Sequence, residues 1–433
     1  TAANNTAVGY DSLGANTTAS NNTALGYSAG SAVTTGIRNT LVGALAGDAL
    51  TTGYFNTAVG YSALSTDTLG RLSVAVGYGA LQTQNFTTAT DAYNVAVGHN
   101  AGQAVTTGVQ NTLIGGLSGD SITTGVQNVA VGYNALSTED GHGGNVAVGV
   151  SALSTQNAGA DAYNTGVGHG AGLAITTGVR NTLIGGFAGD ALTATGLNVA
   201  VGYNALSGDT LGGYSTAIGY GSLGSQNFTS GTSSHNTAVG LNSGASVTSG
   251  RFNTFLGSST VGADGAMNGA IVIGYNVTAA SSTAGYVTLG YGATRTYIAL
   301  GGTSWSGTSD SRLKENIADH TLGLGFVNAL RPVTYNWKKK KDVDNSLTDY
   351  FEEDSEERVN GTDALRHGFI AQEVKAVMND NGLDDNSFSL WDTMGDGTQA
   401  LADSELIPIL VKAIQEQSAL ITSLTARVAE LEG

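Results

Sequence analysis

The chain has no cysteine, and its first 308 residues, here called the stalk, contain no lysine and no proline. The lack of cysteine excludes disulfide bonds and cysteine-bound metals. No run of 18 apolar residues occurs, so we expect no membrane-spanning helix. Five arginines and 11 acidic residues give the stalk a net charge of −6. Phosphate binding needs lysine or arginine, and we therefore expect no nucleic-acid partner.

The composition changes sharply near residue 308. Of the 64 glycines, 56 lie before this point, and both prolines lie after it. Residues 309–433 hold 12 basic and 23 acidic residues, a net charge of −11. We predict a domain boundary here, with the stalk at 1–308 and a second domain at 309–433. Thr1 opens inside a repeat without a signal peptide before it, so we expect the chain to be a fragment or a processed product.

The stalk consists of an internal repeat of the form Asn-Thr-Ala-Val-Gly-Tyr. Its glycine occurs 17 times, mostly 17 residues apart, with two steps of 21, one of 19 and one of 16. The residue before the glycine is Val, Leu or Ile in all 17 copies, and the residue four places before it is Asn in 13. Four places after the glycine, two coils with Gly alternate with two coils with Leu. This makes a super-repeat of four coils, 70 or 72 residues long.

A period of 17 residues is typical of one turn of a β-solenoid, with short strands joined by tight turns. Alternation predicts that the aliphatic residue before the glycine points inward and its polar neighbours outward. Glycine supplies turn conformations that other residues resist, and stacked asparagines can form amide ladders. Alanine and glycine fill many inward positions, so a single solenoid has a thin core. We infer that several chains pack side by side.

These coils, over about residues 4–292, resemble the head repeats of trimeric autotransporter adhesins and the Ala-Val-Gly repeats of phage tail fibres. The resemblance implies a mainly β fold in which three chains form a trimeric β-roll. It implies no particular ligand.

Three longer segments between coils, 82–93, 154–163 and 225–235, lie at the same place in each super-repeat. We expect them to emerge on one side of the rod. Loops over rigid scaffolds often bind partners, so one interpretation is that they contact a receptor. The alternative is that their aromatic rings pack on the stalk. The rings concerned are Phe86, Tyr93, Tyr163 and Phe228.

Isolated polar residues of the repeat form no recognisable ligand set. His99 and His169 occupy equivalent positions without a partner at ligand spacing, and we interpret them as structural. Three equivalent aspartates are interpreted as turn-capping residues, because Ca²⁺ takes six to eight oxygen ligands: Asp48, Asp120 and Asp190. We expect no metal and no cofactor.

Residues 309–317 read Ser-Asp-Ser-Arg-Leu-Lys-Glu-Asn-Ile, and the bare pattern predicts a helix start with Ser309 or Asp310 as the N-cap. This block closely resembles the start of the intramolecular chaperone domain of phage endosialidases, tail spikes and L-shaped fibres. Residues 366–374, Arg-His-Gly-Phe-Ile-Ala-Gln-Glu-Val, match a second block of that family. The resemblance covers residues 309–433 and implies a small α/β domain that trimerises, helps the stalk to fold and then cuts itself off.

Carried over to this sequence, the resemblance places the cut between Thr308 and Ser309, with Ser309 as nucleophile and Lys314 as base. A serine hydroxyl needs a neighbour that takes its proton, and lysine can serve where burial or a nearby cation favours its neutral form. Arg312 is such a cation, unless it pairs with a carboxylate. His367 matches a family position linked to assembly, and a structural role is equally open. Further candidate supporting residues are Asp310, Glu315 and Asn316.

The last segment, about 404–432, carries a heptad pattern typical of a coiled coil. Its a positions are β-branched and its d positions are mostly Leu, which favours two strands, whereas the resemblance implies three. The a positions are Ile407, Ile414, Ile421 and Val428, and the d positions are Leu410, Gln417, Leu424 and Leu431.

The sequence is compatible with three functions. The first is a viral tail fibre or spike that binds a host receptor and other tail proteins and processes itself once. The second is a bacterial surface adhesin, which should end in a membrane anchor that this segment does not resemble. The third is a glycan-degrading spike, which needs paired carboxylates in a groove. The sequence favours the first, located on the virion and outside the cell.

Overall fold

The computed structural model describes residues 2–281, 285–300, 302, 304–307, 309–347, 350–384 and 388–433. Its contacts divide the chain into two compact units, Thr1–Ser309 and Asp310–Gly433.

The first unit is a β-solenoid, which confirms the predicted fold class. Strands of three residues recur once per coil and pair in parallel with the equivalent residues of the next coil, as in Thr6↔Thr23 and Ala7↔Ala24. In chain order the strands are β1 (Thr6–Val8), β2 (Thr23–Leu25), β3 (Thr40–Val42), β4 (Thr57–Val59), β5 (Gly70–Arg71), β6 (Val74–Val76), β7 (Thr90–Asp91), β8 (Val95–Val97), β9 (Thr112–Ile114), β10 (Val129–Val131), β11 (Val146–Val148), β12 (Thr165–Val167), β13 (Thr182–Ile184), β14 (Val199–Val201), β15 (Gly212–Gly213), β16 (Thr216–Ile218), β17 (Thr232–Ser233), β18 (Thr237–Val239), β19 (Thr254–Leu256), β20 (Ile271–Tyr275), β21 (Tyr286–Tyr291), β22 (Thr294–Ala299) and β23 (Ser306–Gly307).

The ladder ends in a different arrangement. Strand β21, the last strand of the parallel ladder, pairs antiparallel with β22, and β22 pairs antiparallel with β23. The ladder therefore ends in antiparallel strands and not in another coil. Two small side ladders, β5 with β7 and β15 with β17, join a coil to the longer segment of the next coil.

The repeat glycine is required because successive coils approach closely at this point. In the coil of Gly43, φ is +130°, and a Cβ added there would overlap the carbonyl oxygen of Gly60 in the next coil. Both the conformation and the lack of space exclude other residues. The same overlap recurs along the ladder, and it explains why the glycine recurs in every coil.

The inward-pointing residue is not the one that the alternation predicted. In most coils the buried strand residue lies two places before the glycine, as with Ala58 and Leu41. The aliphatic residue directly before the glycine points outward: Ile184 is 40% exposed and Leu256 47%, whereas their strand neighbours Leu183 and Phe255 are fully buried. The prediction was wrong because both faces of these short strands are apolar, so period-two alternation does not distinguish them.

The super-repeat follows from how this narrow core is filled. Leu41 faces the residue four places after the glycine both in its own coil, Gly47, and in the preceding coil, Gly30, and a Cβ on Gly47 would lie 2.8 Å from Leu41 Cδ2. Where the inward strand residue is Ala58, the later position is Leu64, which is fully buried. The interior is therefore filled by one leucine, which comes either from the strand or from the position four places after the glycine. Close packing explains the alternation of glycine and leucine coils.

Asparagines form the expected ladder, mainly through the backbone. Asn22 Oδ1 accepts the Asn39 N–H over 2.8 Å, and Asn39 Oδ1 accepts the Asn56 N–H over 2.9 Å. The Nδ2 group of Asn39 donates to the Gly53 carbonyl over 3.0 Å. These asparagines are buried, so each amide satisfies backbone groups that have no access to water.

The second unit is a small α/β domain with a long last helix. Its elements are a 3₁₀ turn (Ser311–Leu313), α1 (Leu324–Ala329), β24 (Val333–Tyr335), a 3₁₀ turn (Lys340–Asp342), β25 (Arg366–Gly368), α2 (Ala371–Asp380), β26 (Trp391–Thr393), β27 (Gln399–Leu401), a 3₁₀ turn (Asp403–Glu405) and α3 (Leu406–Glu432). Its core includes Phe326, Val374, Met378 and Trp391, which pack against the first turns of α3. No helix in the described parts of the chain is long and apolar enough to cross a membrane.

Candidate functional site

The predicted cleavage site lies directly after the stalk. Ser309 is exposed, and it is the last residue of the first unit. Thr308, on the other side of the predicted scissile bond, lies outside the described residues. The roles of Ser309 and Lys314 therefore stay predictions.

The block that follows Ser309 forms a short 3₁₀ turn with Asp310 as its N-cap, one of the two caps that the sequence predicts. The Asp310 carboxylate accepts the Arg312 N–H over 2.9 Å, and Arg312 Nε lies 3.0 Å from Asp310 Oδ1. This guanidinium lowers the pKa of Asp310. Lys314 ends the turn, and its N–H donates to the Ser311 carbonyl.

Arg312 therefore pairs with a carboxylate, the second of the two roles that the sequence left open. Glu315 and Asn316, the next candidate supporting residues, are exposed, and Asn316 has a φ of +55°.

His367 lies in the second unit, on strand β25. Its register partner on β24 is Thr334, and its side chain is exposed. The nearby basic run, Lys338 to Lys341, meets the acidic segment that follows it, since Lys340 Nζ lies 2.8 Å from Glu357 Oε2. Such exposed pairs contribute little stability.

The heptad residues of α3 are exposed in the single chain. The exposed fraction is 59% for Ile407, 64% for Ile414, 58% for Ile421 and 60% for Leu424. The buried residues of α3 are Leu406, Ile409 and Ala413. The helix thus uses one side of its first turns for the domain core and leaves the heptad seam uncovered.

The aromatic residues of the longer stalk segments divide into two groups. Phe86 and Phe228 are buried, with exposures of 5% and 6%, so these rings pack in the stalk, as the alternative interpretation proposed. This position excludes them as contacts for a receptor on the folded chain. Tyr93 and Tyr163 are 54% and 57% exposed, and they remain candidates for receptor contact.

A buried polar column in the stalk was not found from the sequence. Seven places after the repeat glycine, the residues run Val33, Leu50, Asp67 and Gln84 in one super-repeat, and this order of two apolar residues, one acid and one glutamine recurs. Gln84 Nε2 donates to Asp67 Oδ2 over 2.7 Å. Its period of 70 to 72 residues is the signal that could have revealed it. The equivalent pairs are Glu139 with Gln156 and Asp209 with Gln226.

Near the pair of Glu139 and Gln156, possible metal-ligand atoms of Glu139, Asp140 and His142 lie within 4.8 Å of one another. The Glu139 carboxylate is fully buried and already accepts hydrogen bonds from Gln156 Nε2 at 3.2 Å and from the His142 N–H at 3.3 Å. We interpret Glu139 as the counterpart of Asp67, which secures the loop that follows it.

The two histidines of the repeat join aromatic stacks on the stalk surface. The His99 ring lies 5.2 Å from the Tyr78 ring, and the His169 ring lies 5.0 Å from that of Phe187. The three equivalent aspartates are half-buried, and burial raises the pKa of Asp48, Asp120 and Asp190.

Comparison with known proteins identifies the family of the segment that begins where the stalk ends. No curated protein and no solved structure matches the chain significantly. One family model does match, that of the chaperone of endosialidase, over residues 309–383. The matched segment starts at Ser309, includes the second sequence block at 366–374 and ends just after α2. Residues 309–383 therefore identify a domain of the endosialidase chaperone family, attached to a β-solenoid stalk.

Proposed function

We propose that this protein is a homotrimeric phage tail fibre or tail spike, which binds other tail proteins and a host-surface receptor. The observation that carries the proposal is the position of the family match, which begins at Ser309, where the first unit ends. A domain that sets chain register is needed by a fibre of this type, because stacked strands offer many equivalent registers. The protein would then be located on the virion, outside the cell.

The outer strand face supports assembly from several copies. It consists of the residues three and one places before the repeat glycine and one place after it, and apart from His99 and His169 it contains no ionisable group other than tyrosine. Tyrosines stack along it, with ring centres 5.5 Å apart for Tyr10 and Tyr27. An exposed apolar face of this length on a soluble rod is typical of an interface.

The size of this face is sufficient for a stable contact. Seventeen coils at about 4.8 Å give a length of about 80 Å, and five strand residues at about 3.3 Å give a width of about 17 Å. The face thus covers roughly 1,300 Å², compared with about 800 Å² per partner in a standard interface. Further copies of this chain carry the same uncharged face, and the exposed heptad seam of α3 supplies a second contact between copies.

Self-cleavage would proceed in two steps. The Ser309 hydroxyl attacks the carbonyl carbon of Thr308 while the Lys314 amine accepts the hydroxyl proton. The C–N bond breaks, the Ser309 nitrogen takes a proton, and an ester joins the Thr308 carbonyl to Ser309 Oγ. Water then hydrolyses the ester. The attacked carbonyl is held by the chain itself, so no substrate has to be bound.

Cleavage has a physical purpose in such a fibre. Removal of the register-setting domain abolishes the reverse path of folding, which makes the assembled stalk kinetically stable. This account requires that cleavage follows assembly of the three chains.

Denaturing mass spectrometry of the freshly expressed chain tests the proposal. Wild type should yield a 125-residue product that begins at Ser309, whereas Ser309→Ala and Lys314→Ala should stay whole. Ser311→Ala, a change of a neighbouring serine, is the matched control and should be cut. An intact wild-type chain in a preparation shown to be trimeric would contradict self-processing, and a monomeric preparation would contradict the fibre.

A further inference from the structure

A pocket of about 190 Å³ opens on the stalk surface in the third super-repeat. It lies beside the side ladder of β15 and β17, where the longer segment 225–235 meets the preceding coils. Its lining includes Leu197, Tyr214 and Thr232 together with small residues, among them Gly196 and Gly213. It lies wholly within the first unit.

In the first super-repeat, large side chains occupy the position that is equivalent to this pocket. The equivalent side ladder pairs Arg71 with Asp91, in the register that pairs Gly213 with Ser233 in the third super-repeat. The Arg71 guanidinium carbon lies 4.4 Å from the centre of the Tyr54 ring, and Nη1 lies 3.6 Å from Asp91 Oδ1.

Each of these three large side chains has a small counterpart 142 residues later. Gly196 replaces Tyr54, Gly213 replaces Arg71 and Ser233 replaces Asp91. The register of the side ladder is retained while the three interacting side chains are replaced by smaller ones, so the pocket lies where those side chains stand in the first super-repeat. The local backbone differs at Gly196, where an added Cβ would lie 2.0 Å from the Val179 carbonyl oxygen.

The lining determines what kind of molecule fits. None of the nine lining residues is charged, so an ionic ligand would find no counter-charge. The Tyr214 ring and Leu197 offer apolar walls, and the Tyr214 ring is held against His235, 4.9 Å away between ring centres.

Hydroxyl groups of the lining offer hydrogen bonds. Thr195 Oγ1 donates to the Gly212 carbonyl over 2.8 Å, and Thr232 Oγ1 donates to the Ser230 carbonyl over 2.9 Å. A hydroxyl that donates still accepts through its lone pairs. The pocket thus presents an aromatic face together with acceptors for hydroxyl donors.

We propose that this pocket binds one uncharged sugar ring, such as the end residue of a glycan. A sugar ring combines an apolar face of C–H groups, which stacks on tyrosine, with hydroxyl donors. The volume is below the range of about 300–1,000 Å³ for pockets of drug-sized ligands, which agrees with a single ring. The inference rests on the receptor-binding part of the proposed function and names its ligand class.

Saturation-transfer NMR of the full chain with methyl glycosides of glucose, galactose, mannose and N-acetylglucosamine tests the site, with methyl glucuronide as the charged comparison. At least one uncharged glycoside should bind in the millimolar range, and the charged one should not. The variant Gly213→Arg/Ser233→Asp, here the refilled variant, restores two of the three side chains of the first super-repeat, and it should weaken binding about tenfold or more. Tyr214→Ala should also weaken it.

The matched control opens the first super-repeat instead. Leu72 stands at the position of Tyr214 in the first super-repeat. In the background of the refilled variant, Tyr54→Gly/Arg71→Gly/Leu72→Tyr/Asp91→Ser should therefore restore sugar binding at the new position. Unchanged binding in the refilled variant, or no binding of any uncharged glycoside to wild type, would overturn the inference. Cleavage products and oligomer mass are measured on the same samples. A failure of the pocket with normal cleavage and assembly therefore leaves the proposed function intact.

Discussion

Inside the stalk, Gln84 Nε2 donates a hydrogen bond of 2.7 Å to Asp67 Oδ2, and both side chains are fully buried. Oδ1 of the same carboxylate accepts the Gly70 N–H over 2.9 Å and the Phe86 N–H over 3.4 Å. One acid thus satisfies donors from its own coil and from the longer segment of the next coil. The pair Asp209 and Gln226 repeats this arrangement in the third super-repeat.

Replacing the acid by its neutral isostere should destabilise the stalk. In Asp67→Asn one oxygen becomes an NH₂ group, which faces donors and leaves at least one of them unpaired in the core. An unsatisfied buried donor costs about 1–3 kcal/mol. We expect a lower free energy of unfolding in denaturant and faster hydrogen exchange at the Phe86 amide.

The exposed Asp11 provides the control, since Asp11→Asn makes the same chemical change on the surface. Equal stability of the Asp67 and Asp11 variants would contradict the role assigned to the buried pair.

The three equivalent aspartates Asp48, Asp120 and Asp190 should make the stalk less stable at neutral pH than at acid pH. Burial raises the pKa of each above the ordinary value of 3.8. Protonation therefore favours the folded state. This contribution is complete below the unfolded pKa and is lost as the pH rises through the folded pKa.

The triple variant with Asn at these positions removes this titration. Its unfolding temperature should exceed that of wild type at neutral pH, and the difference should shrink towards pH 4 and below. Melting curves of both proteins across this range measure the effect. A difference that does not change with pH would show that these carboxyl groups do not titrate as the burial implies.

The shared interior space of Leu41 and Gly47 predicts strong coupling between them. Leu41→Ala should cost about 2–5 kcal/mol, because it leaves a cavity in a closely packed core. Gly47→Leu alone should also destabilise, since the new side chain meets Leu41. The double variant reproduces the combination of Ala58 with Leu64 in the next coil and should be more stable than the sum of the single effects predicts.

Chemical denaturation of the two single variants and the double variant gives the coupling energy. Leu50 also borders Gly47, its Cδ1 lying 2.9 Å from the added Cβ, so recovery should be partial. Strict additivity of the two substitutions would mean that the leucines do not compete for one space.

The heptad seam of α3 predicts a variant that assembles poorly but folds as a single chain. Ile414 is 64% exposed, so Ile414→Glu should leave the domain core intact. A charge at an a position of a coiled coil destabilises the association of helices. Sedimentation should show a shift from trimer to monomer, with unchanged helix content. Gln415→Glu, one residue away and outside the seam, should remain a trimer, and equal behaviour of the two variants would exclude the seam as an interface.

Prediction from the sequence agrees with the structure where a feature depends on local chain geometry. The 17-residue period and the glycine of each coil can be read from the sequence, because each follows from the conformation or contacts that the repeat imposes in every coil. The Asp310 cap can be read as well, because an N-cap depends only on the few residues that follow it. The family of residues 309–383 is likewise recognisable from its two sequence blocks. The trimer, the cleavage roles of Ser309 and Lys314 and the receptor remain predictions.

Only the tertiary structure decided which strand face points inward. Ala58 and Val59 are both apolar neighbours on one short strand, and hydrophobicity alone favours the larger residue for the core, yet Ala58 is the buried one. The closed coil instead leaves room for alanine, or for one leucine opposite glycine, as with Leu41 and Gly47. The hydrogen bond of Asp67 with Gln84 and the pocket beside Tyr214 were likewise established only by the tertiary structure. Each depends on which residues of successive coils meet in space and on how much volume their side chains leave.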